Sequence, residues 1–322
     1  MTDQSLSKKQ GSCRWGDKPY HSLDYEMKRR FGEKVYKIAL EGGMTCPNRD
    51  GTLDTRGCIF CSGKGSGDFA APRMGSITEQ IDRGIREISA RKQTGKKFIA
   101  YFQSFTNTYA PVSQLTALYE EALAHPDVVM LSIATRPDCL PEEVLELLRH
   151  CAEAKPTIVE LGLQTIHSSS ADYIRRGYSL KVYDTAVEQL KKRGLEVVTH
   201  VIAGLPFESK TDFLETVTHV ADSGADGIKL QLLHVLEGTD LAEEYRQKAF
   251  EVLSREEYLD WIVSALSLLP EQMVIHRLTG DGPKKLLLAP LWSSRKREVL
   301  NLLHQKLRND GIWQGCHRPN NE

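Results

Sequence analysis

Seven short, almost continuously apolar runs rich in β-branched residues recur along this chain, at 35–40, 97–102, 128–134, 157–163, 196–203, 227–233 and 272–278. A run that is apolar at nearly every position, rather than at every second one, predicts a strand buried on both faces. Between the runs lie stripes of helical period. Ile77, Ile81, Ile85 and Ile88 form one. Val144, Leu147, Leu148 and Cys151 form the next, opened by Pro141 as a first-turn proline. Ala186, Val187 and Leu190 stop at Gly194, and Phe213, Leu214, Val217, Val220 and Ala221 stop at Gly224. Ser254 and Glu257 make a capping box before Tyr258, Trp261 and Ile262, and Val299, Leu300, Leu303 and Leu307 mark a late helix. Such alternation predicts an α/β fold with a parallel sheet and right-handed crossovers. Six or seven strand–helix units suit an open or closed barrel better than a bare nucleotide-binding sheet. In either case ligands belong at the carboxyl ends of the strands.

Charge does not point to a partner. Lys plus Arg number 42 and Asp plus Glu 43, a net charge of −1, so any surface for nucleic acid must be local. No run reaches the ~18 apolar residues of a membrane span, and the polar N-terminus has no apolar signal core. A cytoplasmic location is therefore expected. The seven cysteines are Cys13, Cys46, Cys58, Cys61, Cys139, Cys151 and Cys316. An odd, sparse set in a chain of this length is no disulfide framework, and grouped cysteines in a reducing compartment point to metal or redox chemistry.

Three of them are grouped. The segment GGMTCPNRDGTLDTRGCIFCSGKGSGDFA (42–70) follows the first strand and holds Cys46, Cys58 and Cys61 as C-x11-C-x2-C in a glycine-rich loop. Such a loop can approach an inorganic core and turn backbone N–H groups toward sulfide. A structural zinc takes four ligands, and no fourth follows at finger spacing. A dithiol redox pair leaves Cys46 without a role. A [4Fe–4S] cluster held by three thiolates, with one iron open, also fits. Spacing alone leaves zinc and cluster both standing.

The glycine-rich three-cysteine loop, ending C-x-aromatic-C after the first strand, resembles that of radical S-adenosylmethionine (SAM) enzymes. Their commonest spacing is C-x3-C-x2-C, and this chain has eight more residues between the first two cysteines. The blocks FQSFTNTYAP (102–111), IATRPDCLP (133–141), ELGLQTIH (160–167), HVIAGLPFE (200–208) and IHRLTGDGPKKLLLAPLW (275–292) resemble the YhcC/YtqA group of that family, related to the branch of the Elongator catalytic subunit. The resemblance implies a radical SAM partial (β/α)6 barrel over 35–240, with an N-terminal arm over 1–34 and a C-terminal α/β extension over 241–322. It implies Cys46, Cys58 and Cys61 as cluster ligands and Phe60 beside the SAM adenine. Gln103 or Ser104 stands where the family has a G-G-E-like motif for the SAM amine. Glu160 and Gln164 are implied as ribose or amino-acid contacts, and Arg176 as a partner of the SAM carboxylate. His200 replaces an acid usual at the ribose, and Ile202 and Gly204 wall the adenine.

Each of these has a plain structural reading as well. Gln164 could satisfy backbone, His200 could be a core histidine, and Glu208 could cap the helix that follows it. Cys139 and Cys151 read as small core hydrophobes, while Cys13 and Cys316 fall in the terminal arms. The expected reaction begins with an electron from a donor such as flavodoxin or ferredoxin and ends in hydrogen abstraction by a 5′-deoxyadenosyl radical. The resemblance implies tRNA as substrate, and maturation of a wobble 5-carboxymethylaminomethyluridine to 5-aminomethyluridine. Nothing here resembles the acetyltransferase domain of the Elongator subunit, so acetyl-CoA chemistry is not expected. Arg277, Lys284 and Lys285 are candidate cations for the substrate's acid group, and Trp292, Tyr109 and Phe105 candidate stacking surfaces. A small-molecule or peptide substrate, or a zinc-binding protein without catalysis, are the alternatives.

Overall fold

The computed structural model describes residues 14–63, 65, 75–280 and 282–318. Every one of the seven apolar runs is a strand: β1 (Tyr36–Leu40), β2 (Phe98–Phe102), β3 (Val128–Thr135), β4 (Thr157–Gln164), β5 (Glu196–Ala203), β6 (Gly227–Leu232) and, after a short β7 (Val235–Leu236), β8 (Val274–Arg277). The sheet order is β1-β2-β3-β4-β5-β6-β8, with β7 pairing β9 (Leu287–Ala289) apart from it. The helices are α1 (Leu23–Phe31), α2 (Ile77–Ser89), α3 (Val112–Ala124), α4 (Glu142–Ala154), α5 (Ser168–Tyr173), α6 (Leu180–Lys192), α7 (Lys210–Asp222), α8 (Asp240–Arg246), α9 (Arg255–Leu268) and α10 (Lys296–Asp310). Among the described residues no helix is long and apolar enough to cross a membrane.

The chain forms two compact units. One comprises Met27–Leu163 and Asp172–Val198. In it β1, β2, β3 and β4 pair in parallel, Tyr36 with Phe98, Ala100 with Leu131 and Leu131 with Thr157. All five residues of β2 are buried, as its uniform apolarity requires of a central strand. Ile81 of α2, Leu115 and Tyr119 of α3 and Leu148 of α4 are fully enclosed. Ser76 caps α2 in a reciprocal box with Glu79. Pro141 sits one position earlier than expected, at the N-cap of α4. There its fixed φ still suits helix entry and its missing N–H costs nothing.

The other unit comprises the described residues of Met1–Glu26, Gln164–Ala171 and Thr199–Glu322. Within it β6 pairs β8 in parallel and β7 pairs β9 antiparallel. The segment read as an arm is anchored here. Ile275 N donates to His21 O at 2.7 Å, and Ser22 bridges Ile275 alongside β8. Gln314, fully buried, accepts from His21 N at 2.8 Å and donates to the carbonyls of Pro270 and Met273 at 2.6 and 2.8 Å. Cys151 and Cys139 are buried without disulfides, as expected of small hydrophobes, Cys316 is half-buried and free, and Cys13 lies outside the described residues.

Candidate active site

The loop after β1 explains its own unusual spacing. Arg49 N and Asp50 N turn back onto Cys46 O, Leu53 N bonds Pro47 O, and Gly57 N closes the excursion on Asn48 O at 2.7 Å. The extra residues thus leave and return at one place, and Cys58 follows directly. Gly57 is required there: its φ is +81°, and a Cβ would stand 2.8 Å from the Arg49 guanidinium. Arg49 Nη2 then donates to the carbonyls of Cys61 and Ser62 at 2.9 and 2.7 Å, fixing the second half of the loop.

The sulfurs have a polar neighbourhood. Asn48 Nδ2 lies 3.4 Å from Cys58 Sγ. Burial pushes the Cys58 thiol up to about 12; the Cys61 and Cys46 sulfurs act in the same direction, while Arg136 and the Asn48 amide act against them. The three sulfurs therefore lie within electrostatic reach of one another, and three thiolates on one loop, each able to hold its own iron, suit a [4Fe–4S] cluster with one iron open. Among the described residues, His167, Asp212 and Glu215 bring their ligand atoms within 4.8 Å of one another; the first two are half-buried and the third exposed, and Asp212 belongs to the capping box of α7.

The turn after β2 is sewn to this loop. Thr106 N donates to Thr45 O at 3.1 Å and Phe105 N to Gly65 O at 2.9 Å, with Phe105 in the left-handed region at φ 59°. Ser104 is fully buried and its Oγ has no hydrogen-bond partner, and the Oδ1 of buried Asn107 has none either. Asn107 is held by Nδ2, which donates to Ala134 O at 2.9 Å. Two buried unsatisfied oxygens beside a cysteine loop need an explanation, and a ligand ammonium such as the SAM amine fits them. Gln103 is half-buried, with its N–H 3.5 Å from Leu40 O. Beyond this turn, Tyr109, Pro111, Pro137, Asp138 and Leu140 line a cleft of about 690 Å³.

Other expected residues in this unit have structural partners. Glu160, fully buried in β4, accepts from Lys37 Nζ at 2.5 Å and Ser132 Oγ at 2.8 Å. Arg176 is buried and donates to Tyr178 O and Leu163 O at 3.0 and 3.1 Å. Phe60 is half-buried between Cys58 and Cys61.

The remaining expected residues belong to the other unit. Gln164 ends β4 at φ 69° with its Oε1 buried and without a partner. His200 is half-buried and Ile202 buried in β5. Gly204 has φ +80° and leaves room for Leu253, whose Cδ1 would stand 2.9 Å from a Cβ. Glu208 does not cap α7; Ser209 does, and Glu208 accepts from Thr165 Oγ1 at 2.6 Å. Trp292 packs its ring 5.5 Å from that of Tyr258, and its Nε1 donates to Leu253 O at 3.1 Å. Burial pushes the Tyr258 phenol up, and the charge of nearby Arg277 pulls it down. Lys284 and Lys285 are exposed on the turn that Leu286 N closes on Pro283 O. Asn48, Arg49, Asn107, Arg136 and Asp138 had no role in the sequence reading. The signal for them was their presence in the CPNRD, FQSFTNTYAP and IATRPDCLP blocks.

The Radical SAM superfamily pattern matches residues 55–220, and the Radical SAM C-terminal domain pattern matches 225–309. The chain is 45% identical to the uncharacterized protein YtqA of Bacillus subtilis over 93% of its own length and 92% of that protein's. It is 34% identical to protein YhcC of Escherichia coli K12 over 89% of this chain and 92% of the other. A tRNA uridine(34) acetyltransferase of Methanocaldococcus jannaschii matches at 28% identity over 59% of this chain and 35% of that one. The solved Elp3 of Methanocaldococcus infernus superposes with a TM-score of 0.67 at 19% identity, covering 87% of this chain and 64% of that one. The chain belongs to the radical SAM superfamily, with the partial-barrel α/β fold of that class. Within it, the chain stands with the YtqA and YhcC proteins and is related to the Elp3 branch, and its cofactors are a [4Fe–4S] cluster and SAM.

Proposed function

We propose that this radical SAM enzyme modifies tRNA at the wobble uridine, converting 5-carboxymethylaminomethyluridine to 5-aminomethyluridine. The observation that carries the reading is its relationship to proteins named for tRNA uridine(34), over more than half of this chain. When bound, the cluster and SAM supply a 5′-deoxyadenosyl radical able to take hydrogen from an unreactive C–H bond. Cys46, Cys58 and Cys61 would hold the cluster, and Ser104 and Asn107 would accept from the SAM amine. Arg176 would offer a cation toward the SAM carboxylate. Arg277, Lys284 and Lys285 supply positive charge for the substrate carboxylate or the RNA backbone.

On the substrate, the methylene between nitrogen and carboxylate would lose one hydrogen atom to the 5′-deoxyadenosyl radical, then a second electron, taken back by the oxidised cluster, and a proton; water would hydrolyse the resulting imine to glyoxylate and a primary amine on the base. An anticodon-loop base is unpaired and can be splayed out for such chemistry. The electron enters from a small donor of the flavodoxin or ferredoxin kind. Nucleoside profiling of a deletion strain against its parent tests the reading. Accumulation of the carboxymethylaminomethyl precursor is expected. Unchanged wobble-uridine derivatives, with SAM cleavage intact in the purified enzyme, would shift the reading to a small-molecule or peptide substrate.

A further inference from the structure

Arg136 follows β3 and is 9% exposed. Its guanidinium is locked. Nε and Nη2 donate to the two carboxylate oxygens of Asp138 at 2.9 and 2.7 Å, the planar two-point pairing that suits arginine. Its Cζ lies 5.0 Å from the ring centre of Tyr178, which also carries Arg176 at 4.8 Å. Gly177, at φ +82°, is the wedge beside it: a Cβ there would stand 3.4 Å from Arg136 Nη2 and 3.1 Å from Asn48 Oδ1. Asn48 in turn contacts Cys58 Sγ. Arg136, the Gly177 turn, Asn48 and Cys58 are thus one continuous packed group, and the Arg136 charge also acts on Cys46.

We propose that Arg136 is a positioning residue for the cluster: held by Asp138 and Tyr178, its fixed positive charge raises the reduction potential of the [4Fe–4S] centre. One-electron reduction adds negative charge to the cluster. A buried cation whose charge reaches the Cys46 and Cys58 sulfurs favours the reduced state, and Asp138 opposes it. Two of the guanidinium nitrogens are already committed to Asp138, so the group serves as a fixed charge rather than a mobile ligand clamp. The inference rests on family membership and not on the substrate reading.

The test is an EPR-monitored redox titration of the full chain, reconstituted anaerobically without SAM. Arg136→Gln should lower the midpoint by the equivalent of tenfold or more in the reduced-to-oxidised ratio, about 59 mV for a one-electron couple. Asp138→Asn should raise it. Opposite signs mark a charge effect, because loosened packing would move both variants the same way. Unchanged potentials, or shifts of the same sign, overturn the proposal. Should Arg136→Gln load too little iron to titrate, Asp138→Asn decides alone: a rise supports the proposal, and no change or a fall overturns it.

Discussion

Asn48 spans two parts of the site: its Nδ2 donates to Arg175 O at 2.6 Å and lies 3.4 Å from the Sγ of Cys58. One side chain thus ties the cysteine loop to the residues after α5 and places an N–H against a cluster thiolate. Asn48→Ala should remove the amide donor to the Arg175 carbonyl, at a cost of about 0.5–1.5 kcal/mol. It should also lower iron retention. Iron per chain after anaerobic gel filtration, beside a urea melt, separates the two effects; full iron with unchanged stability would remove Asn48 from the site.

The cysteines divide into two kinds. Cys46→Ala, Cys58→Ala and Cys61→Ala should each abolish cluster assembly, because each thiolate holds a separate iron. Cys139→Ala and Cys151→Ala should keep the iron and lose only packing, about 1–2 kcal/mol. Iron analysis checks this, and loss of iron from the Cys139 variant with retention in the Cys58 variant would reverse the ligand assignment.

Much of this was legible from residue order, for a physical reason. Strands buried on both faces must be apolar throughout, so Phe98–Phe102 and Val128–Thr135 stand out without any partner being known. Thiolates grouped on one loop are equally visible. Helix α3 was not, because Pro111 caps it with no side-chain bond and its buried stripe is only Leu115, Tyr119 and Ala122. Strands β7 and β9, two and three residues long, carry no pattern. Asn48 and Arg136 were read past because what they do depends on partners distant in sequence, Arg175 and Tyr178 among them.

Glu160 is fully buried and accepts from half-buried Lys37. Lys37→Met removes that charged hydrogen bond and should cost about 1.5–3 kcal/mol. The double variant Lys37→Met/Glu160→Gln should recover much of that loss. Denaturant melts of the cycle read the coupling. Near-zero coupling, with loss of SAM affinity in Glu160→Gln, would instead assign Glu160 to the cofactor.

Burial raises the Glu208 carboxyl above the ordinary carboxylate range, against hydrogen bonds from Thr165 and Ser170. The folded chain therefore keeps a proton that the unfolded chain releases near pH ~4.3. Stability from this group falls as pH rises from there through the raised value. Glu208→Gln keeps the acceptor for Thr165 and should flatten that part of the Tm–pH profile. An identical slope in the variant would contradict the assignment.

The most direct measurement supplies the reconstituted enzyme, anaerobically, with SAM, a reductant and tRNA carrying wobble 5-carboxymethylaminomethyluridine, and then follows nucleosides and 5′-deoxyadenosine together. The account predicts loss of the precursor, appearance of 5-aminomethyluridine and release of glyoxylate in step with 5′-deoxyadenosine. Formation of 5′-deoxyadenosine with the nucleosides unchanged would contradict it.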